Sequence, residues 1–198
     1  EIDVWKKMKD PEPFRTEKVK NNRKKLVELG IPHLPLYKAL DYVKGVESST
    51  QAAIEEALAD MGILDALIIP TAYREKLASI PELTGDKYLY PAPQFMVHSI
   101  NQYLKVEPSL TEIAPEEVAN VLTSILIDEN HHTHLDEKGH YRLGILRGRA
   151  SGLETPKFIG SSARKKYREE IQKTLEAELA AIMVRLAASS EALAKINQ

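Results

Sequence analysis

Histidines are concentrated in one short stretch of this chain, the segment 127–149. It reads IDENHHTHLDEKGHYRLGILRGR and contains four of the six histidines, His131, His132, His134 and His140, within ten residues. Imidazole side chains can bind transition metals, exchange protons near neutral pH or carry positive charge. We therefore expect any chemistry that this protein performs to involve this segment.

The turn residues within the segment predict a β-hairpin. A type I turn at Asp136–Lys138 followed by Gly139 at positive φ closes a three-residue loop with a bulge. That register gives three cross-strand pairs: Asp136 with His140, His134 with Arg142, and His132 with Gly144. Side chains alternate between faces along a strand, so the histidines, the aspartate and the arginine of these pairs would share one face. A two-residue loop would slip the register by one residue and separate them.

Such a face allows two chemical interpretations. Three imidazoles and a carboxylate suit a divalent transition metal, with four predicted ligands: His132, His134, Asp136 and His140. In an enzyme that acts on phosphoesters, His132 or His134 would be a ligand or general base, and Arg142 would stabilise developing negative charge. The alternative is a polar hairpin in water whose histidines only titrate. The sequence leaves both interpretations open, and with them the question of whether the protein is an enzyme.

Positive charge accumulates directly after the hairpin. The range 142–173 holds nine basic and three acidic residues, whereas the whole chain has a formal net charge of −2. The N-terminus of a helix favours an anion, and the last helix is expected to begin near Ser162. Phosphate or nucleic acid would bind through this predicted anion-binding group: Arg142, Arg147, Arg149, Ser161, Ser162, Arg164 and Lys165. The alternative is a solvated basic face with ordinary helix-capping serines.

Apolar spacing elsewhere predicts helices joined by short connectors. The predicted helices cover about 16–29, 36–43, 48–61, 72–78, 94–105, 115–125 and 162–196. In the last of these, Leu179, Leu186 and Leu193 lie one heptad apart, with Ile182 in the companion seam. This helix would either form the spine of the domain or pair with a partner chain. The predicted fold class is mainly α, a multi-helix domain with one small β-hairpin at about 127–147 and a long C-terminal helix.

Length and composition set further limits. The 198 residues suit a single domain, 1–198, in which a loop at 80–93 would divide an N-terminal helical part, 1–85, from the remainder, 86–198. The chain has no cysteine, which excludes disulfides, thiol nucleophiles and cysteine-ligated metals. No stretch approaches 18 apolar residues, so we expect no membrane partner and a cytoplasmic location.

Three functional classes follow from these observations. The first is a non-catalytic helical interaction or regulatory protein that binds a protein partner, or forms a homodimer, through its C-terminal helix. The second is a phosphate- or nucleic-acid-binding module that uses the basic segment and the histidine-rich hairpin. The third is a metal- or histidine-dependent phosphoesterase or nuclease. The sequence favours the first class because that class requires only the predicted helices.

Overall fold

A computed structural model describes residues 9–152 and 154–196, except for the side chains of 193–196. The helices are α1 (Glu17–Glu28), α2 (Ser48–Asp60), α3 (Arg74–Ala78), α4 (Pro115–Leu122) and α5 (Ser161–Ile196). Short 3₁₀ helices cover Leu36–Ala39, Thr71–Tyr73 and Ile100–Gln102. The strands are β1 (Leu34–Pro35), β2 (Leu40–Tyr42), β3 (Leu67–Ile68), β4 (Tyr88–Leu89), β5 (Leu104–Val106), β6 (Thr133–Leu135), β7 (His140–Leu143) and β8 (Leu146–Arg149).

These strands form three small sheets rather than a single hairpin. In the first sheet β3 pairs antiparallel with β1 and parallel with β4, and in the second β2 pairs antiparallel with β5. The third sheet is an antiparallel meander of β6, β7 and β8. At 44% helix and 14% strand the protein is mixed α/β, so the prediction of a mainly α fold with one hairpin is wrong. Strands of two or three residues are too short for their alternation to show in a sequence.

The helix predicted over 94–105 is also wrong. Met96 has a φ of 61°, which no α-helix accommodates, and the strand that follows pairs Leu104 with Tyr42. Ile100 and Leu104 are buried as their spacing predicts, but the strand pairing with β2 satisfies the backbone of this region. Val97, which the same spacing places inward, is 41% exposed. The apolar spacing therefore identified two of its three core residues correctly but predicted the wrong backbone geometry.

Helix α2 lies at the centre of the larger buried cluster. Ile54, Ala57 and Leu58 are fully buried within a cluster that extends along the chain from Leu34 to Ile159. Apolar residues of α4 and of the turn that follows it also belong to this cluster: Val118, Val121, Leu122 and Ile125. A second, smaller cluster packs beneath α1. The third sheet contacts the larger cluster through Leu135, which is fully buried.

A buried carboxylate of α2 fixes the segment between β8 and α5. Glu55 is only 5% exposed, and its oxygens accept hydrogen bonds from the backbone N–H groups of Lys157, Phe158 and Ile159, at 2.6 Å, 3.1 Å and 2.8 Å. Burial raises the pKa of the Glu55 carboxyl, and these three donors partly offset the rise. A buried charge without donors would be very costly, so this segment must lie against α2.

The next residue of α2 holds the other end of the same segment. Glu56 accepts hydrogen bonds from the backbone N–H and the hydroxyl of Ser151, at 2.8 Å and 2.9 Å, and from the N–H of Gly152 at 2.9 Å. The turn of the third sheet packs on α2 as well, since a Cβ on Gly139 would lie 3.2 Å from the backbone oxygen of Ala53. Helix α2 thus positions both the turn and the far edge of this sheet.

The long helix predicted over 162–196 is confirmed, but only its beginning contacts the rest of the protein. Arg164 donates a hydrogen bond to the backbone oxygen of Phe158 at 2.9 Å, and the Tyr167 ring packs edge-on against the ring of Phe158. From Glu176 to Ala192 every side chain is exposed. Within the described residues, no helix combines the length and the apolar content needed to cross a membrane.

The Glu55 hydrogen bonds yield a prediction about stability. Glu55→Ala leaves three partly or fully buried N–H groups without acceptors, so the free energy of unfolding should fall by about 3–5 kcal/mol. Urea denaturation measures this loss. Glu28→Ala, which removes an exposed carboxylate from α1, is the matched control and should change the free energy of unfolding by less than about 0.5 kcal/mol. Equal effects of the two substitutions would contradict the role assigned to Glu55.

Candidate functional site

The predicted register of the histidine-rich hairpin is confirmed. Strands β6 and β7 pair His134 with Arg142, and the backbone N–H of Asp136 donates to the His140 oxygen at 3.1 Å. Gly139 closes the turn at a φ of 78°, as the predicted three-residue loop requires. His134, Asp136, His140 and Arg142 all line one cleft, so the register gives these four side chains a common face.

Strand β8 was not predicted, and it adds two arginines to this face. Its register places Arg147 opposite Arg142 and Arg149 opposite His140. The sequence signal for this strand is a second turn glycine, Gly144. It adopts a φ of 60° in the turn between β7 and β8. A four-residue strand with two arginines and a glycine has little β propensity, so its composition does not indicate a strand.

The cleft on this face has a volume of about 490 Å³, and its lining residues all come from the range 127–148. The charged and imidazole side chains that line it are His134, Asp136, His140, Arg142, Arg147, Glu129 and Glu137. The Tyr103 hydroxyl donates a hydrogen bond to the Glu137 carboxylate at 3.3 Å. Positive and negative side chains therefore meet in the cleft, with the arginines on the strands and two of the three carboxylates in or beside the turn.

Asp136 orients the imidazole of His140. One carboxylate oxygen accepts a hydrogen bond from the His140 Nδ1 at 2.9 Å, and the other accepts from the backbone N–H groups of Lys138 and His140, both at 2.9 Å. An ionised carboxylate only accepts, so Nδ1 of His140 carries a proton and, in the neutral ring, Nε2 has a free lone pair. Burial raises the pKa of Asp136, but these three hydrogen bonds outweigh burial and hold the pKa below its ordinary value.

His134 forms the floor of the cleft. Its side chain is 5% exposed, and its Nδ1 is buried without a hydrogen-bond partner among the described residues. The segment 125–127 covers His134. The Leu126 N–H donates to the Thr133 carbonyl oxygen, and the Leu135 N–H donates to the Leu126 carbonyl oxygen, so this segment lies beside β6. Any polar contact between His134 and a ligand in the cleft would therefore be made through Nε2.

Arg142 lies between its strand neighbours without a carboxylate partner. Its Nε donates to the Gly144 oxygen at 2.8 Å, and its Nη2 lies 3.4 Å from Nδ1 of the exposed His132. In the described part of the chain, no ion pair involves any of three arginines of this sheet: Arg142, Arg147 and Arg149. Three N–H groups of Arg142 remain available to a ligand.

The structure does not gather the predicted metal ligands into a metal site. Across residues 9–152 and 154–196, no group of three or more His, Cys, Asp or Glu side chains could hold a metal ion. Instead, Nδ1 of His140 is engaged by Asp136, His134 is buried, and His132 lies beside the Arg142 guanidinium. A shared strand face is therefore not sufficient to form a metal site.

The predicted anion-binding group is divided in the structure. Arg142 and Arg147 line the cleft, whereas the start of α5 contributes none of the residues that line it. The Asp41 carboxylate lies beside that start, because a Cβ on Gly160 would lie 2.7 Å from one of its oxygens. Arg164 donates to the Phe158 oxygen, and its Nε lies 3.6 Å from the carboxylate of Asp10. The remaining members at this end of the group, Ser161, Ser162 and Lys165, are exposed.

Comparison with protein-family models, with curated proteins and with solved structures finds no match to this chain.

The lowered pKa of Asp136 yields a prediction about pH. Because the pKa is lowered in the folded state, the ionised carboxylate stabilises the protein at pH values above about 4, the ordinary pKa of aspartate. This contribution is lost as the pH falls. Asp136→Asn should therefore reduce the free energy of unfolding at pH 6 and flatten its decline between about pH 5 and pH 2. Urea denaturation across that range measures both effects. Glu82→Gln, an exposed control, should follow the wild-type profile, and an Asp136→Asn profile parallel to wild type would contradict the assignment.

Proposed function

We propose that this protein binds single-stranded nucleic acid in the cleft of its third sheet. The observation that carries the proposal is the placement of Arg142 directly opposite Arg147, with no carboxylate partner for either within the described residues. Like charges directly opposite each other on neighbouring strands destabilise a sheet. A phosphate group between the two guanidinium groups would convert this repulsion into two charge-assisted hydrogen-bonding contacts.

The surroundings of the arginine pair favour a polynucleotide over a free phosphate ion. Ile145 is fully exposed and Leu146 is half exposed at the turn that joins the two arginine-bearing strands. Nucleic-acid strands present alternating phosphates and flat apolar bases, and single-stranded binding sites combine cationic and apolar contacts. Phosphates would therefore contact Arg142 and Arg147 while bases contact the apolar turn.

The carboxylates of the cleft are compatible with this role. Asp136 accepts three hydrogen bonds within the turn, and Glu137 accepts one from Tyr103. Their charge is therefore partly compensated before any ligand binds. Glu129 lies on the exposed segment that precedes β6, where solvent and salt screen its repulsion of a phosphate.

Salt-dependent binding tests this proposal. The ligand is a fluorescently labelled, single-stranded 2′-O-methyl oligonucleotide, followed by fluorescence anisotropy. Arg142→Gln combined with Arg147→Gln should weaken binding more than tenfold and make the slope of log K against log salt shallower by about 0.7, since the two arginines share one phosphate and each phosphate contact on a single strand contributes about 0.7. Arg185→Gln, in the exposed part of α5, should retain the wild-type slope. Absence of wild-type binding at low salt would overturn the proposal.

We propose, as a second function, that two copies of the chain pair through α5. Leu179, Ile182 and Leu186 are 52%, 58% and 72% exposed and follow the 3.5-residue repeat of a coiled coil. Exposed large apolar side chains in a continuous row are unfavourable in water unless another surface covers them. A second copy supplies a seam of matching length. Leu193, the next residue of the repeat, has its side chain outside the described residues.

Sedimentation equilibrium tests the pairing of α5. The wild-type chain should sediment as a dimer at micromolar concentration, and Leu179→Glu combined with Leu186→Glu should sediment as a monomer because charges at a seam position oppose burial. Val184→Glu is the matched control, since Val184 is 70% exposed and lies off the seam. A monomeric wild type, or an equal effect of the control, would contradict this second function.

A further inference from the structure

The side chains on this face of the third sheet form three successive rows. The first row holds His132, the second holds His134, Arg142 and Arg147, and the third holds Asp136, His140 and Arg149. Residues two apart on a strand are separated by about 7 Å. A phosphate held by the second row therefore lies one row away from the imidazole of His140, within reach of atoms bonded to that phosphate.

Asp136 accepts one hydrogen bond that phosphate binding by the arginines does not require. Its Oδ1 accepts the two backbone N–H groups that fix the turn, whereas its Oδ2 accepts only from the ring of His140. That second bond determines which ring nitrogen carries the proton and where the other nitrogen lies. The His140 side chain is 43% exposed, and the residue lines the cleft. Fixing the tautomer of a half-exposed imidazole prepares its Nε2 for proton transfer.

We propose that the cleft cleaves single-stranded RNA, with His140 as the general base, an activity that rests on the nucleic-acid binding proposed above. RNA carries its own nucleophile, because each 2′-hydroxyl lies next to the phosphorus that it attacks. One oriented base and two cations beside the phosphate therefore supply the principal groups that the reaction requires. DNA lacks this hydroxyl and would bind without being cleaved.

The reaction balances without any additional reactant. Nε2 of His140 takes the proton of the 2′-hydroxyl as the bond between that oxygen and phosphorus forms. The bond between phosphorus and the 5′ oxygen breaks, and the departing oxygen takes a proton from solvent water. The hydroxide produced is neutralised by the proton that His140 then releases. The products are a 2′,3′-cyclic phosphate and a 5′-hydroxyl end, and His140 returns to its neutral form.

Each neighbouring side chain has a separate part in this step. Arg142 and Arg147 stabilise the negative charge that grows on the non-bridging oxygens, and Nε2 of His134 contacts the phosphate from the floor of the cleft. Asp136 is a positioning residue, which keeps the proton of His140 on Nδ1 and stabilises the cation formed during the reaction. Loss of Asp136 should therefore lower kcat more than it alters KM.

Cleavage of a labelled RNA oligonucleotide by the full chain tests the proposal. The wild type should cleave RNA but neither DNA nor the 2′-O-methyl strand, and mass spectrometry should identify 2′,3′-cyclic phosphate ends. His140→Gln should reduce kcat at least about 100-fold while retaining affinity for the 2′-O-methyl strand and a wild-type melting transition. His98→Gln, an exposed histidine outside the cleft, is the control purified in parallel and should cleave at the wild-type rate.

The possible results separate this inference from the proposed function. Wild-type protein that binds the 2′-O-methyl strand but does not cleave RNA would overturn the catalytic role and leave the binding function in place. Cleavage that His140→Gln does not alter, or that extends to DNA, would also overturn it. Protein that neither binds nor cleaves would overturn both. Asp136→Asn with reduced kcat and unchanged KM would support the positioning role, and equal changes in both constants would contradict it.

Discussion

The position of the cleft depends on the carboxylates that α2 directs at the segment following β8. Glu55 is buried, and the three backbone N–H groups that converge on its carboxyl partly compensate for its burial. Glu56 binds the first residues of the same segment, Ser151 and Gly152. Two adjacent side chains of one helix therefore hold both ends of the connector between β8 and α5, at Ser151 and at Ile159. Their hydrogen bonds tie the edge of the third sheet and the start of α5 to the hydrophobic core.

This attachment matters because the third sheet is too small to be rigid by itself. Its strands are three or four residues long, and a sheet of that size needs packing against another element to persist in water. Gly139 contacts α2 at the turn, and Leu135 is buried in the core. The hydrogen bonds of Glu55 and Glu56 hold the segment that follows β8. The arginines opposite each other on β7 and β8 tend to separate those strands. The contacts of the third sheet with α2 and with the core oppose this repulsion and keep the two arginines on neighbouring strands.

The sequence predicted the register of the hairpin better than it predicted the fold around it. Turn residues and alternation predicted the register that pairs His134 with Arg142, and the structure excludes the two-residue loop that the sequence left as an alternative. Local patterns could not identify β2 and β5, whose pairing joins residues about 60 positions apart. They also could not reveal that Asp41 of β2 lies beside Gly160, because that proximity depends on the tertiary fold. Glu55 carried no signal, because a glutamate in an amphipathic helix is ordinarily exposed.

We propose that nucleic acid binds on the third sheet and not at the beginning of α5, and an NMR titration distinguishes these surfaces directly. Unlabelled 2′-O-methyl oligonucleotide is added to ¹⁵N-labelled protein while the backbone amide signals are followed. We expect the amides of His134, Arg142 and Arg147 to shift together and saturate with one affinity, while those of Ser161 and Ser162 remain unchanged. Shifts that are largest at the two serines, or that are absent from the third sheet, would contradict the account.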